Sequence, residues 1–68
     1  MELLKFLKDQ IERDDVVGDL ARDVARDDGF PEKGSRADYR LWLAKRLASE
    51  QAMDALEEAM DEAERVRG

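Results

Sequence analysis

The sequence predicts a small all-α domain, a bundle of four helices, and three observations lead there. Apolar residues recur at three- and four-residue spacing in four separate stretches. Ala, Leu, Glu and Arg, all good helix formers, are abundant, beside four Gly and a single Pro. The breaks between stretches carry cap and stop residues: Asp14-Asp15, Gly29-Phe30-Pro31, Ser35 and Ser49. At 68 residues the chain has room for one domain. A chain of this size buries only about 60% of its unfolded surface, so its core is small.

The first helix is expected over about residues 2–13. Leu3, Leu4, Phe6, Leu7 and Ile11 share one face with Gln10. Lys5–Asp9, Lys8–Glu12 and Asp9–Arg13 are spaced for ion pairs on the opposite side. The link Arg13-Asp14-Asp15 is short, so the chain must turn sharply into the next helix.

The second helix, about residues 16–28, places Val17, Leu20, Ala21, Val24 and Ala25 on one side and Asp19, Arg22, Asp23 and Arg26 on the other. Asp14 and Asp15 precede it, where a carboxylate accepts from free backbone N–H groups and favours the helix dipole. Gly29, Phe30 and Pro31 read as a Schellman-type stop: a left-handed glycine, an apolar residue folding back on Val24 or Ala25, then a residue that cannot continue the helix. Phe30 is expected in the core.

Ser35 and Asp38 have the spacing of a capping box opening a third helix, about residues 36–47. Tyr39, Trp42, Leu43 and Leu47 form its inner face, with the stem of Arg46 among them. Leu41 points away, beside Ala37, Ala44 and Ala48. That second apolar side suggests a central helix covered from two directions; the other reading is an exposed apolar spot. Ser49 is the expected N-cap of a fourth helix, about residues 50–66. Ala52, Ala55, Leu56, Ala59, Ala63 and Val66 line its inner face, widened by Met53 and Met60. Asp54, Glu57, Glu58, Asp61, Glu62 and Glu64 lie outside.

Gly18-Asp19-Leu20-Ala21, then Asp27 or Asp28, then Phe30-Pro31, resemble the signature of the YozE-like family, small bacterial proteins with a fold similar to the sterile alpha motif (SAM). Phe6-Leu7 and Trp42-Leu43 sit where that family has apolar or aromatic-apolar pairs. The resemblance runs from about Leu4 to about Ala63. It implies a compact bundle of about four helices, and no biochemical role comes with it. The third and fourth helices differ from the family pattern in their wealth of Arg, Glu and Ala.

Net charge is −6, unevenly distributed. Residues 33–48 hold Lys33, Arg36, Arg40, Lys45 and Arg46 against Asp38 alone, whereas the flanking segments are acidic. The 43% hydrophobic content is enough for a core despite 44% charged residues. There is no Cys or His, hence no disulfide framework, no zinc site of the usual kind and no imidazole base. The amino-terminal MELLKFLKD is broken by charges and resembles neither a secretory leader nor a membrane span, so a cytoplasmic protein is expected.

Gly29 and Gly34 do not form a phosphate-binding loop, and no Gly-Lys-Ser/Thr follows. Ser35 and Ser49 read as caps. The carboxylates Asp54, Glu57, Glu58 and Asp61 share a straight helix face that points them outward, whereas calcium and magnesium want converging oxygens. No catalytic, metal or cofactor-binding residue is assigned, and no enzyme activity is expected.

The candidate surface is Lys33, Arg36, Arg40 and Lys45. Basic residues at a helix start oppose its dipole. Pairing within the chain, with Glu32, Asp38 or a facing acidic helix, explains them most simply. The functional reading is a non-catalytic protein-interaction module: this patch docks an acidic partner, or the acidic face Asp54, Glu57, Glu58 and Asp61 of a second copy head to tail, as SAM-type modules associate. The alternative is nucleic-acid binding through the same basic residues, which the acidic net charge disfavours.

Overall fold

The computed structural model describes residues 1–46 and 48–67 and contains four helices in chain order: α1 (Leu3–Lys8), α2 (Val16–Ala25), α3 (Arg36–Lys45) and α4 (Glu50–Arg67). Among the described residues there is no strand. No helix there is long and apolar enough to cross a membrane. Leu47, expected on the inner face of the third helix, lies outside the described residues.

α2 has the amphipathic form its sequence dictates. Asp15 caps it by accepting from the Gly18 N–H at 3.0 Å, and Val17, Gly18, Leu20, Ala21 and Val24 are buried. Asp19–Arg22 and Asp23–Arg26 pair on its outer side as their spacing predicts. The close approach of the incoming chain explains Gly18. A Cβ there would stand 2.7 Å from the Arg13 carbonyl carbon and 2.9 Å from the Arg13 Cβ. Only a residue without a side chain lets the link between α1 and α2 cross the helix at this point.

That crossing also shortens α1. The expected helix reaches residue 13, but α1 stops at Lys8 and turns replace it over residues 9–12. The Arg22 guanidinium donates to the carbonyls of Ile11 at 2.6 Å and Arg13 at 3.0 Å, fixing the reversed link. Tertiary contacts thus override good local propensity. The pairs Lys5–Asp9, Lys8–Glu12 and Asp9–Arg13 need a continuous helix and do not form. Arg13 binds Asp15 at 2.7 Å and Glu62 of α4 at 2.6 Å. Ile11 is exposed, whereas Leu3 and Leu7 are fully buried and Leu4 and Phe6 partly so.

α2 ends at Ala25, short of the expected Asp28, and the stop is not the predicted one. Gly29 is outside the left-handed region. Asp27 makes the turn instead: its N–H reaches the Val24 carbonyl at 3.0 Å, and its carboxylate accepts from the Gly29 N–H at 2.8 Å. Phe30 is buried as expected. Its ring stacks on Tyr39 with centroids 5.3 Å apart and meets Trp42 edge-on at 4.9 Å.

α3 opens with the capping box that Ser35 and Asp38 announce, with Asp38 N–H to Ser35 Oγ at 3.2 Å and Ser35 N–H to Asp38 Oδ2 at 2.9 Å. Tyr39 joins it to the start of the chain. The buried hydroxyl accepts from the Leu3 N–H at 3.2 Å and donates to the Met1 carbonyl at 2.7 Å. It thereby serves an N–H at the opening of α1, where Glu2 provides no side-chain cap. Met1 and Gly34 exchange two further backbone bonds, at 3.0 and 3.1 Å.

The central helix is α4, not α3. α4 packs along α1, α2 and α3, whereas among the described residues the only helix lying along α3 is α4. With 18 residues α4 is long enough to serve three neighbours. Ala55, Leu56, Ala59 and Met60 form its buried center, and Val66 is exposed. Ser49 caps it as expected, accepting from the Ala52 N–H at 3.1 Å. The consequence for α3 is that its second apolar side is uncovered. Leu41 is 56% exposed, and Ala37 and Ala44 beside it are exposed too.

Candidate functional site

The basic start of α3 and the acidic outer side of α4 face one another in the same molecule. Ser35 and Asp38 fix the first turn of α3, and Arg36 extends from it toward α4. Its guanidinium meets Asp61 at 2.8 Å, Glu64 at 3.1 Å and Glu57 at 3.3 Å. One turn further, Arg40 grips Glu57 with both arms of its fork, Nε to Oε2 at 2.5 Å and Nη2 to Oε1 at 2.7 Å. Such bidentate pairs are the strong form of a charge-assisted bond. The carboxylates hold both guanidiniums above their ordinary values. In return the Arg40 and Arg36 bonds hold the Glu57 carboxyl below the usual range, against a smaller opposing effect of burial.

This arrangement sorts the predicted surface residues into two groups. Arg36, Arg40, Glu57 and Asp61 come together in the seam between α3 and α4. Lys33 and Lys45 remain exposed, with no ion-pair partner among the described residues. So do Asp54 and Glu58. The basic patch and acidic face therefore do not lie on different sides of the bundle, the condition that head-to-tail stacking of copies requires. Two of its four cations already have carboxylate partners.

The cation that remains available beside an apolar surface is Lys45. On α3 it follows Leu41 by one turn, and Ala37 and Ala44 complete the exposed row. Asp38 lies on the same flank, two turns before Lys45. Its carboxyl is held below the ordinary value by bonds from the Ser35 backbone and then the Ser35 side chain. The outer side of α3 is thus a short apolar strip with one acidic and one basic group along one edge. Its other edge, at Arg40, is neutralised by Glu57.

At the far end of α3, Arg46 lies over the Trp42 ring, 3.8 Å from the centroid, and pairs with Asp27 at 3.0 Å. The Arg46 side chain donates to Asp27, and together with the Gly29 N–H this holds the Asp27 carboxyl below its usual range. The expected stem packing of Arg46 is joined by cation–π contact, which seals a Trp42 that is only partly buried. Sequence spacing gave no sign of the Asp27–Arg46 bond, since its partners are 19 residues apart, separated by a loop and the whole of α3. Among the described residues, no group of three or more Asp, Glu, His or Cys side chains is arranged to hold a metal ion.

A family model described as YozE SAM-like fold matches residues 4–64. Comparison with curated proteins and with solved structures returns no match. With nearly the whole length matched, the chain belongs to the YozE SAM-like fold family.

Proposed function

We propose that this member of the YozE SAM-like fold family is a non-catalytic protein-interaction module that docks a partner protein on the outer side of α3. One observation carries the reading: Leu41 is 56% exposed on a helix whose opposite side is buried, and Lys45 next to it has no ion-pair partner among the described residues. An apolar strip with a charged edge suits a helical partner, whose own apolar residues cover Leu41 while a carboxylate meets Lys45. The pairing of Arg36 and Arg40 with α4 moves the docking position from the start of α3 to its middle. It also weakens the case for nucleic acid, which needs several cations free to neutralise phosphates.

The experiment is an NMR titration of isotopically labelled protein with two probes at low salt. One is a synthetic amphipathic helix bearing a Leu/Ala strip edged with Glu; the other is short single- and double-stranded DNA and RNA. Shifts confined to Ala37, Leu41, Ala44 and Lys45 on adding the peptide, lost in Leu41→Asp, support the reading. Saturable nucleic-acid binding that Lys33→Glu with Lys45→Glu removes, with no response to the peptide, overturns it.

A further inference from the structure

We infer that the outer side of α3 is self-complementary and pairs two copies of this chain through an antiparallel α3–α3 contact. The inference rests on the docking reading above and names its partner. The exposed row is Ala37, Leu41 and Ala44, spaced four and three residues apart, which is the seam spacing of a packed helix pair. A two-fold axis through this row sets Leu41 of each copy on Ala44 of the other. Large meets small in both halves, so the helices approach closely without a clash between two leucines.

The same axis treats the charges alike. Asp38 and Lys45 occupy one edge of the strip, seven residues apart. Turning one helix over brings Asp38 of one copy beside Lys45 of the other, and the symmetric pair forms at the opposite end. In the Leu41-on-Ala44 register, the axial offset between Asp38 and the opposing Lys45 is only two residues, or about 3 Å. Neither residue has an ion-pair partner within its own chain among the described residues; the Ser35 N–H takes Asp38 Oδ2, and Oδ1 is left for the bond to Lys45. On the other edge, Arg40 would approach its own symmetry mate, but Glu57 already neutralises it. A parallel pair, by contrast, would set Leu41 on Leu41 and turn the Asp38–Lys45 edge toward the Arg40 edge of the other copy, so that Asp38 and Lys45 would not meet.

α3 has 10 residues, so the contact is small and falls in the class of weak interfaces burying less than about 1,200 Å². Association is expected only at high protein concentration. The absence of cysteine makes this directly testable. Asp38→Cys and Lys45→Cys are prepared separately, checked for helix content by circular dichroism, mixed in equal amounts and oxidised under mild conditions.

The antiparallel register predicts the mixed 38–45 disulfide well above its statistical share. The homodisulfides are offset along the axis by roughly 14 Å for position 38 and 8 Å for position 45, outside the usual disulfide Cα range of about 4.4–6.8 Å. Adding Leu41→Asp to both variants should abolish the mixed product. A statistical mixture, dominance of either homodisulfide, or a mixed product indifferent to Leu41→Asp overturns the inference. If the mixed product fails while the acidic helical peptide still shifts Leu41, self-pairing falls and the docking reading stands. If both fail, the surface itself is wrong.

Discussion

α1, α2 and α4 meet mainly through apolar side chains, with the Arg13–Glu62 pair between the α1–α2 link and α4, whereas α3 is joined to α4 by aromatic and apolar side chains inside and a chain of ion pairs outside. Leu3, Leu7, Val17, Leu20 and Leu56 make the first contact, and its tightest point is the passage of the Arg13 backbone over Gly18. Tyr39 and Leu43 make the inside of the second, and Arg36 and Arg40 with Glu57, Asp61 and Glu64 make its rim. The first is set mainly by shape, and pH and salt act on it through the Arg13–Glu62 pair. The second has a component that both conditions can remove. A helix held this way keeps its outer side free, and that free side is where we propose the docking surface.

The strongest test of the first region is Leu56→Ala. Leu56 is fully buried on the helix that all three others touch. Loss of such a side chain costs about 2–5 kcal/mol, against a total stability of about 3–10 kcal/mol for a chain this long. Urea titration should find the variant largely unfolded or close to it. Helix signal and Trp42 fluorescence should fall together, because α4 links both regions. A loss below about 1 kcal/mol would show that the center of the bundle is elsewhere.

Gly18→Ala is expected to have the next largest effect. Alanine is the better helix former by about 1 kcal/mol, so propensity alone predicts a gain. The added Cβ meets Arg13 backbone, which cannot move aside as a flexible side-chain end would. Overpacking of this kind costs about 1–3 kcal/mol or more. A net loss by thermal or urea unfolding supports the crossing; a more stable variant would mean that the link between α1 and α2 is free to move.

Gly18 also shows what could be read before the structure. The four helices, the Asp15 cap, the Ser35–Asp38 box and the Ser49 cap were legible, because each depends on residues within a few positions of one another. The glycine itself was visible, but not its reason, since the group it makes room for arrives from the preceding loop. The end of α1 was misread for the same cause: residues 9–12 suit a helix locally, and Arg22, far along the chain, holds them out of one. The place of α3 depended on which helix has three neighbours, a property of the assembled bundle. The seam was legible as an option only, because Arg36 and its carboxylates are 21 to 28 residues apart and spacing cannot say whether they meet.

The smallest expected effect isolates the charge component of the second region. In the folded protein the Arg40 and Arg36 bonds lower the Glu57 carboxyl, and the Arg13 bond lowers that of Glu62. A depressed folded-state value means stability that is present above the unfolded value and is lost as pH falls through the folded one. Unfolding midpoints should therefore be nearly level between about pH 7 and 5 and decline below about pH 4, where ordinary carboxylates titrate. Arg36→Met keeps much of the apolar stem and removes the guanidinium. Its midpoint should lie below that of the unaltered chain near neutral pH, by less than Leu56→Ala lowers it, and the difference should narrow on acidification or in high salt. Arg40 stays on Glu57 in this variant, so α3 should remain docked and Trp42 fluorescence unchanged in the folded state. A difference that is constant from about pH 7 to 3 would assign the loss to packing of the Arg36 stem and leave the seam without an electrostatic role.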